Sequence, residues 1–126
     1  PVMTKKKLKI YHNPRCSKSR KALELISSQN FKLQIVKYLQ SGILKKDLED
    51  IFKITKFDIN NFIRKKDQSF KDLKVDINEL STDQVIKLIL ENPVIIERPI
   101  LIKYENDVLV DAIIGRPPEL VFKLLD

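Results

Sequence analysis

Apolar positions along the chain recur with two periods, two and 3.6, and the order of the two predicts a mixed α/β protein. Residues 8–11 (LKIY) form a short β-type run that leads into the polar loop His12-Asn13-Pro14-Arg15-Cys16. From Ser17, a candidate N-cap, the period lengthens. Ala22, Leu23 and Ile26 share one helical face, and Arg20, Lys21 and Glu24 lie elsewhere. A second strand fits 33–38 (LQIVKY), ending near Ser41-Gly42. This opening β-α-β order favours parallel pairing, since a crossover helix is what a parallel pair requires.

Residues 44–91 read as helical pieces. Leu44, Leu48, Ile51 and Phe52 make one amphipathic stripe, and Ile59, Phe62 and Ile63 a weaker one. Residues 66–75 read as loop. A further helix starts at Ser81 or Thr82, turns Val85, Leu88 and Ile89 inward and closes at Asn92-Pro93. Two β runs follow, 100–104 (ILIKY) and 108–114 (VLVDAII), joined by the turn signal Glu105-Asn106-Asp107. Pro117-Pro118 then opens a last helix that presents Leu120, Val121, Leu124 and Leu125 to the core. The expectation is one α/β domain over 1–126, ordered β-α-β, a helical insert at approximately 44–91, then β-β-α.

Composition narrows the chemistry. A chain of 126 residues suits one domain, and 43% hydrophobic against 33% charged residues is a globular balance. No apolar run approaches the ~20 residues of a membrane span. The first residues carry a Lys cluster that runs straight into a strand-like segment, without the apolar core of a signal peptide. A cytoplasmic protein with no membrane partner is expected. The net charge of +7 comes from Lys residues that mostly interleave with acids, which reads as a solvated surface rather than a nucleic-acid face. One Cys and one His exclude an internal disulfide and a Cys/His zinc site, and two Gly exclude a glycine-rich phosphate loop. No metal and no bound cofactor are expected.

Only five of the 24 basic residues are Arg: Arg15, Arg20, Arg64, Arg98 and Arg116. Arginine offers a permanently charged planar fork that grips oxyanions and carboxylates, so its use in a Lys-rich chain points to a task. Cys16 stands between a strand end and a helix start, where free N–H groups and the helix dipole favour an anion. Arg15 and Arg20 flank it, and such surroundings favour thiolate over thiol. The alternative is a buried cysteine acting as a small hydrophobe. Phosphatase chemistry needs five residues between Cys and Arg, whereas three separate Cys16 from Arg20. Redox turnover with a single Cys requires a thiol from outside the chain.

The segments YHNPRCSKSRKAL (11–23), FIRKKD (62–67), ERPILI (97–102) and GRPPELVFKLL (115–125) resemble, in order and across nearly the whole chain, the ArsC family of glutaredoxin-coupled arsenate reductases. Arg15, Ser17 and Lys18 follow its chromosomal type. The resemblance implies a thioredoxin-like fold with a helical insertion. It implies Cys16 as the nucleophile toward arsenate and Arg64, Arg98 and Arg116 as the oxyanion-binding arginines. His12 matches a histidine that supports the thiolate electrostatically, with a structural, backbone-bonded His as the alternative. Ser19 stands where thioredoxins and the Spx regulators carry a second Cys. Its hydroxyl either donates to the thiolate or caps the helix turn. Pro99 resembles the cis proline ahead of the third strand of thioredoxin-like folds. The implied reaction is reduction of arsenate to arsenite by a monomer through a Cys16–arsenic intermediate, with glutathione as co-substrate and glutaredoxin as partner. Two other readings stay open: a general glutathione-linked thiol oxidoreductase, and an Spx-like regulator bound to RNA polymerase, against which Ser19 counts.

Overall fold

The structure, a computed structural model, describes residues 5–27, 31–54 and 58–125. Strand β1 (Lys6–Tyr11) is followed by helix α1 (Ser17–Ser27) and strand β2 (Lys32–Val36). Helices α2 (Tyr38–Ser41), α3 (Lys45–Ile54), α4 (Ile59–Phe62), α5 (Gln68–Lys71) and α6 (Thr82–Glu91) come next. Strands β3 (Ile100–Glu105) and β4 (Val108–Ile114) and a 3-10 helix, Pro118–Leu124, close the chain. The sheet order is β2-β1-β3-β4. As expected from the βαβ opening, β1 and β2 run parallel, with Leu8 opposite Leu33 and Ile10 opposite Ile35. The pairs β1/β3 and β3/β4 are antiparallel, placing Tyr11 opposite Ile100 and Ile102 opposite Ala112.

The period-two pattern divides the core between the two faces of this sheet. Leu8 and Ile10 of β1 and Leu101 of β3 pack with Ala22 and Ile26 of α1 and with Val121 and Leu124. Tyr11, Ile100 and Ile102 point the other way, into the larger cluster formed with Leu48, Ile51, Val85 and Ile89 of the helical insert. Both faces are therefore covered, which is what places the strand ends and their loops at one rim.

Several elements differ from the sequence expectation. β2 stops at Val36, because the chain turns at Lys37 to bury Tyr38 edge-on against Tyr11, ring centroids 6.4 Å apart. Leu44 precedes α3 and is exposed, so the inward stripe is Leu48, Ile51 and Phe52. The segment read as loop at 66–75 contains α5, whose first turn is capped by the Asp67 carboxylate accepting the Ser69 N–H. In α6, Ser81 is the cap, in a reciprocal capping box with Gln84; Ile86 is buried and Leu88 only half-buried. The last helix is 3-10 rather than α, burying Val121 and Leu124 and leaving Leu120 and Leu125 half-buried.

Four charged or polar side chains meet inside the larger cluster, and the sequence pattern did not announce them. The Lys9 ammonium donates to Asp47 Oδ2 at 2.8 Å, with both residues about nine-tenths buried or more. The Tyr11 hydroxyl donates to the same carboxylate oxygen and the Tyr104 hydroxyl to the other. Lys9 also lies over the Tyr104 ring, 5.3 Å from its centroid. Burial would raise the Asp47 carboxyl, but its bonds from Lys9, Tyr104 and Tyr11 outweigh this and hold it below the ordinary carboxylate value. Burial and the same carboxylate push both tyrosine hydroxyls well above their ordinary value.

Candidate active site

The loop after β1 is wound tightly enough to deliver Cys16 to the first turn of α1. The Cys16 N–H donates to the Asn13 carbonyl at 3.0 Å, and the Cys16 carbonyl accepts the Arg20 N–H at 2.9 Å. That places Cys16 itself at the N-cap position and moves Ser17, expected there, into the helix. The side chain is 8% exposed and its thiol is free. Burial alone would push that thiol up. The backbone N–H of Ser19, the Arg98 guanidinium and the N–H of Lys18 bond to the sulfur and reverse the direction, holding it below its ordinary value.

The cation on the sulfur is thus Arg98, from the chain just ahead of β3, and not one of the sequence neighbours. Arg20 turns back to donate to the Pro14 carbonyl at 2.8 Å. Arg15 is exposed, with its N–H on Asn13 Oδ1 at 3.0 Å. The Ser19 hydroxyl is engaged away from the thiolate: it accepts the Asn13 N–H at 3.1 Å and lies 2.7 Å from His12 Nδ1. Ser19 therefore serves the sulfur through its N–H. His12 is buried, and its burial together with Lys37 and Arg20 lowers its basicity, so the ring is neutral near pH 7. We assign Nδ1 as acceptor of the Ser19 proton. The ring then buttresses the loop as a neutral structural group, the second of the two roles the sequence left open, with the Ser19 hydroxyl as its partner in place of a backbone group.

The arginines far apart in sequence are gathered by short backbone pairings. Ile63 and Ile96 form an isolated antiparallel bridge, flanked by Arg64 N–H to the Ile95 carbonyl at 2.7 Å and Glu97 N–H to the Phe62 carbonyl at 2.8 Å. This sets Arg64 beside the Glu97-Arg98 pair. Arg64 is oriented by Asp67 Oδ1 at 2.9 Å and the Val94 carbonyl at 3.3 Å. At the other side, Gly115 N–H donates to the Pro99 carbonyl at 2.9 Å. A methyl group at Gly115 would lie 2.9 Å from Pro99 Cγ, so glycine permits the approach that brings Arg116 alongside. Arg116 Nη1 then pairs with Glu97 Oε2 at 3.2 Å. The Arg98–Pro99 peptide is cis, as the resemblance implies, and the Arg116–Pro117 peptide is cis as well.

Arg64, Glu97 and Arg116 line a cleft of about 600 Å³ together with Asn61, Lys65 and Asp67. Arg98 and Cys16 do not line this cleft, but both, like Arg64 and Glu97, lie within electrostatic reach of Tyr38. Its buried hydroxyl is pushed up to about 12 by burial, while Arg98 and Arg64 pull it down and Cys16 and Glu97 add to the rise. Tyr38, Glu97 and Asp67 are site residues that sequence reasoning did not single out. Glu97 and Asp67 lie inside the segments ERPILI and FIRKKD, so the signal was present beside each arginine. Arg98 Nε is buried and has no hydrogen-bond partner among the described residues, although the same guanidinium reaches the sulfur. A buried donor of a cation left unpaired is costly, and an anion above the sulfur would satisfy it. Among the described residues, no group of three His, Cys, Asp or Glu side chains is placed to hold a metal. No helix of these residues is long and apolar enough to cross a membrane.

A profile of the ArsC family matches residues 11–123. An arsenate reductase of Haemophilus influenzae is 39% identical over 117 residues, covering 92% of this chain and 97% of its own. An uncharacterized Escherichia coli K12 protein, YfgD, is 36% identical over 121 residues, with 95% and 98% covered. Among solved structures, an arsenate reductase from Vibrio cholerae superposes with a TM-score of 0.79 at 34% identity, covering 94% of this chain and 97% of that one. The fold is thioredoxin-like. With the profile spanning nearly its whole length, the chain belongs to the ArsC family.

Proposed function

We propose that the protein reduces arsenate to arsenite, with Cys16 as nucleophile and Arg98, Arg64 and Arg116 as the oxyanion-binding cations. The observation that carries this reading is the single guanidinium of Arg98, which bonds to the sulfur and keeps a buried Nε without a partner among the described residues. A fork in that position lets one residue stabilise the sulfur anion and receive an oxyanion beside it. The names of the Haemophilus and Vibrio relatives support arsenate as that oxyanion.

The Cys16 thiolate forms a sulfur–arsenic bond as a hydroxyl of arsenate leaves as water. Glutathione adds to the arsenic, again with loss of water. A glutaredoxin thiolate then attacks the glutathione sulfur, and the electron pair of that sulfur–arsenic bond stays on arsenic, which becomes As(III). The products of this step are the glutathione–glutaredoxin disulfide and arsenite still held on Cys16, released by water with return of the thiol. One disulfide forms for each two-electron reduction, and the chain's single thiol ends unchanged. Arginine charges concentrated in a half-buried cleft act where negative charge develops on the arsenic oxygens.

The test is NADPH-coupled turnover of arsenate with glutathione, glutathione reductase and glutaredoxin. Arsenate-dependent NADPH oxidation is the expected result. Thiol–disulfide exchange activity without any arsenate dependence would replace this reading with that of a general oxidoreductase.

A further inference from the structure

The chain has three tyrosines, and the hydroxyls of two are spent inside it, since Tyr11 and Tyr104 both donate to Asp47. Tyr38 is placed differently. It is 1% exposed, and its ring meets that of Tyr11 edge-on. The end of β2 just ahead of it is tied to the cysteine loop, because the His12 N–H donates to the Val36 carbonyl at 2.8 Å. Tyr38 also shares its buried cluster with Phe62, Ile63, Ile95 and Ile96, whose backbone pairings set Arg64 beside Glu97 and Arg98. A phenol is thus fixed where the loop of the nucleophile meets the segments that carry the arginines.

Arg98, Arg64, Cys16 and Glu97 lie within electrostatic reach of this hydroxyl. The two of them that could accept a hydrogen bond are engaged elsewhere. The sulfur takes the N–H groups of Ser19 and Lys18 and the Arg98 guanidinium, and Glu97 pairs with Arg116. Among the described residues the Tyr38 hydroxyl has no acceptor, and Arg98 Nε, on the guanidinium that reaches the sulfur, has none either. Buried donors without acceptors are costly. Two of them around one nucleophile mark the place of an oxygen-bearing group. We infer that Tyr38 donates a hydrogen bond to an oxygen of the arsenic centre held on Cys16, and is a further catalytic residue beside the three arginines. The inference rests on the arsenate reading of the site. Burial keeps the phenol protonated at a pH where Cys16 is already thiolate, so donor and nucleophile coexist. As the sulfur–arsenic bond forms, negative charge grows on the arsenic oxygens, and a fixed neutral donor stabilises it while its own proton stays in place. The arginines attract the free oxyanion by charge, whereas this contact forms only once arsenic reaches the sulfur, so it acts on kcat more than on KM.

Tyr38→Phe tests this, since it removes the hydroxyl and keeps the ring and its edge contact with Tyr11. With glutathione and glutaredoxin saturating, kcat for arsenate reduction is expected to fall about tenfold to 150-fold, the range for one charge-assisted hydrogen bond. The KM for arsenate, the Tm and the pH midpoint of Cys16 alkylation are expected to stay near wild type. Tyr11→Phe is the control, because it takes a hydroxyl from the other ring of the pair and breaks a bond to Asp47. Its Tm is expected to drop while kcat is kept. An unchanged kcat in Tyr38→Phe overturns the inference and leaves the arsenate reading standing. An equal loss of kcat in both variants does the same, tracing the effect to packing of the two rings. A loss of kcat matched by a raised alkylation midpoint also overturns it, placing the hydroxyl on the sulfur and not on the substrate. Absence of arsenate reduction by the wild type overturns the arsenate reading, and this inference with it.

Discussion

Cys16 and Arg98 act as one unit, and substitutions at the two should separate nucleophile from environment. Cys16→Ser is nearly isosteric, so thermal unfolding should match wild type while turnover falls below a few per cent. Retention of more than that would remove Cys16 from the nucleophile's role. The thiol is held below its ordinary value, so the thiolate is present at a lower pH than for a free cysteine, whose pKa is ~8.5. Iodoacetamide alkylation followed against pH should therefore have its midpoint below that value. Arg98→Ala should move it up, and the thiolate fraction at pH 7 should fall. Arg116→Lys should leave the midpoint in place, because Arg116 pairs with Glu97 and not with the sulfur. It should still weaken arsenate turnover, since a lysine cannot form the bidentate fork. Loss of one charge-assisted contact is on the order of 1.5–3 kcal/mol, or about tenfold to 150-fold. Wild-type arsenate rates in Arg98→Lys and Arg116→Lys together would sink the oxyanion assignment.

Among the elements, α1 supplies the anion site and three short backbone pairings supply the arginines. The helix starts one residue past Cys16, so its first free N–H groups, on Lys18 and Ser19, point at the sulfur. Arg98 and Arg116 are kept adjacent by the strand ends that meet at Pro99 and Gly115. Gly115→Ala tests this directly. Its methyl would press on Pro99 Cγ at 2.9 Å and Leu101 Cδ1 at 3.2 Å, and overpacking of this kind costs about 1–3 kcal/mol. The expected outcome is a lowered Tm and a raised KM for arsenate, with the Cys16 alkylation midpoint unmoved. An unchanged Tm would mean that the strand end shifts freely and does not position Arg116.

Across the whole molecule, the Asp47 cluster fastens the helical insert to the sheet, since Asp47 lies on α3, Lys9 and Tyr11 on β1, and Tyr104 on β3. Removing one member of a buried ion pair strands the other, which typically costs ~3–5 kcal/mol. Urea unfolding of Asp47→Ala should show a loss of that size. Lys9→Met combined with Asp47→Leu should recover at least half of it, because no charge is left buried; failure to recover would assign the stabilisation to the two tyrosine bonds. The sign of the pH dependence follows from the lowered Asp47 carboxyl. Its contribution is present above the unfolded value of ~3.9 and is lost as pH falls through the lower folded value. Wild-type stability should therefore drop more steeply than that of Asp47→Ala on acidification below about pH 4.

Local patterning determined most of the elements and the position of the lone cysteine. The β-type run before a polar loop and the helical period after Ser17 put Cys16 at a strand-to-helix junction, and neighbouring side chains were enough to read that. The four strands, α1, α3 and α6 were legible for the same reason: amphipathic periods reflect burial on one face. Short pieces such as α5 escaped, because one turn capped by Asp67 leaves no period to read. What the thiolate is paired with was decided only by the tertiary structure. Arg15 and Arg20 flank Cys16 in the chain, yet Arg98 meets the sulfur, because β1 and β3 are hydrogen-bonded neighbours and Tyr11 lies opposite Ile100. The Asp47 cluster was hidden likewise, since a lysine in a strand and an aspartate in a helix each read as solvated until packing brings them together. Sequence periodicity records which face of an element is buried, and the sheet register alone decides which distant side chain fills the space beyond it.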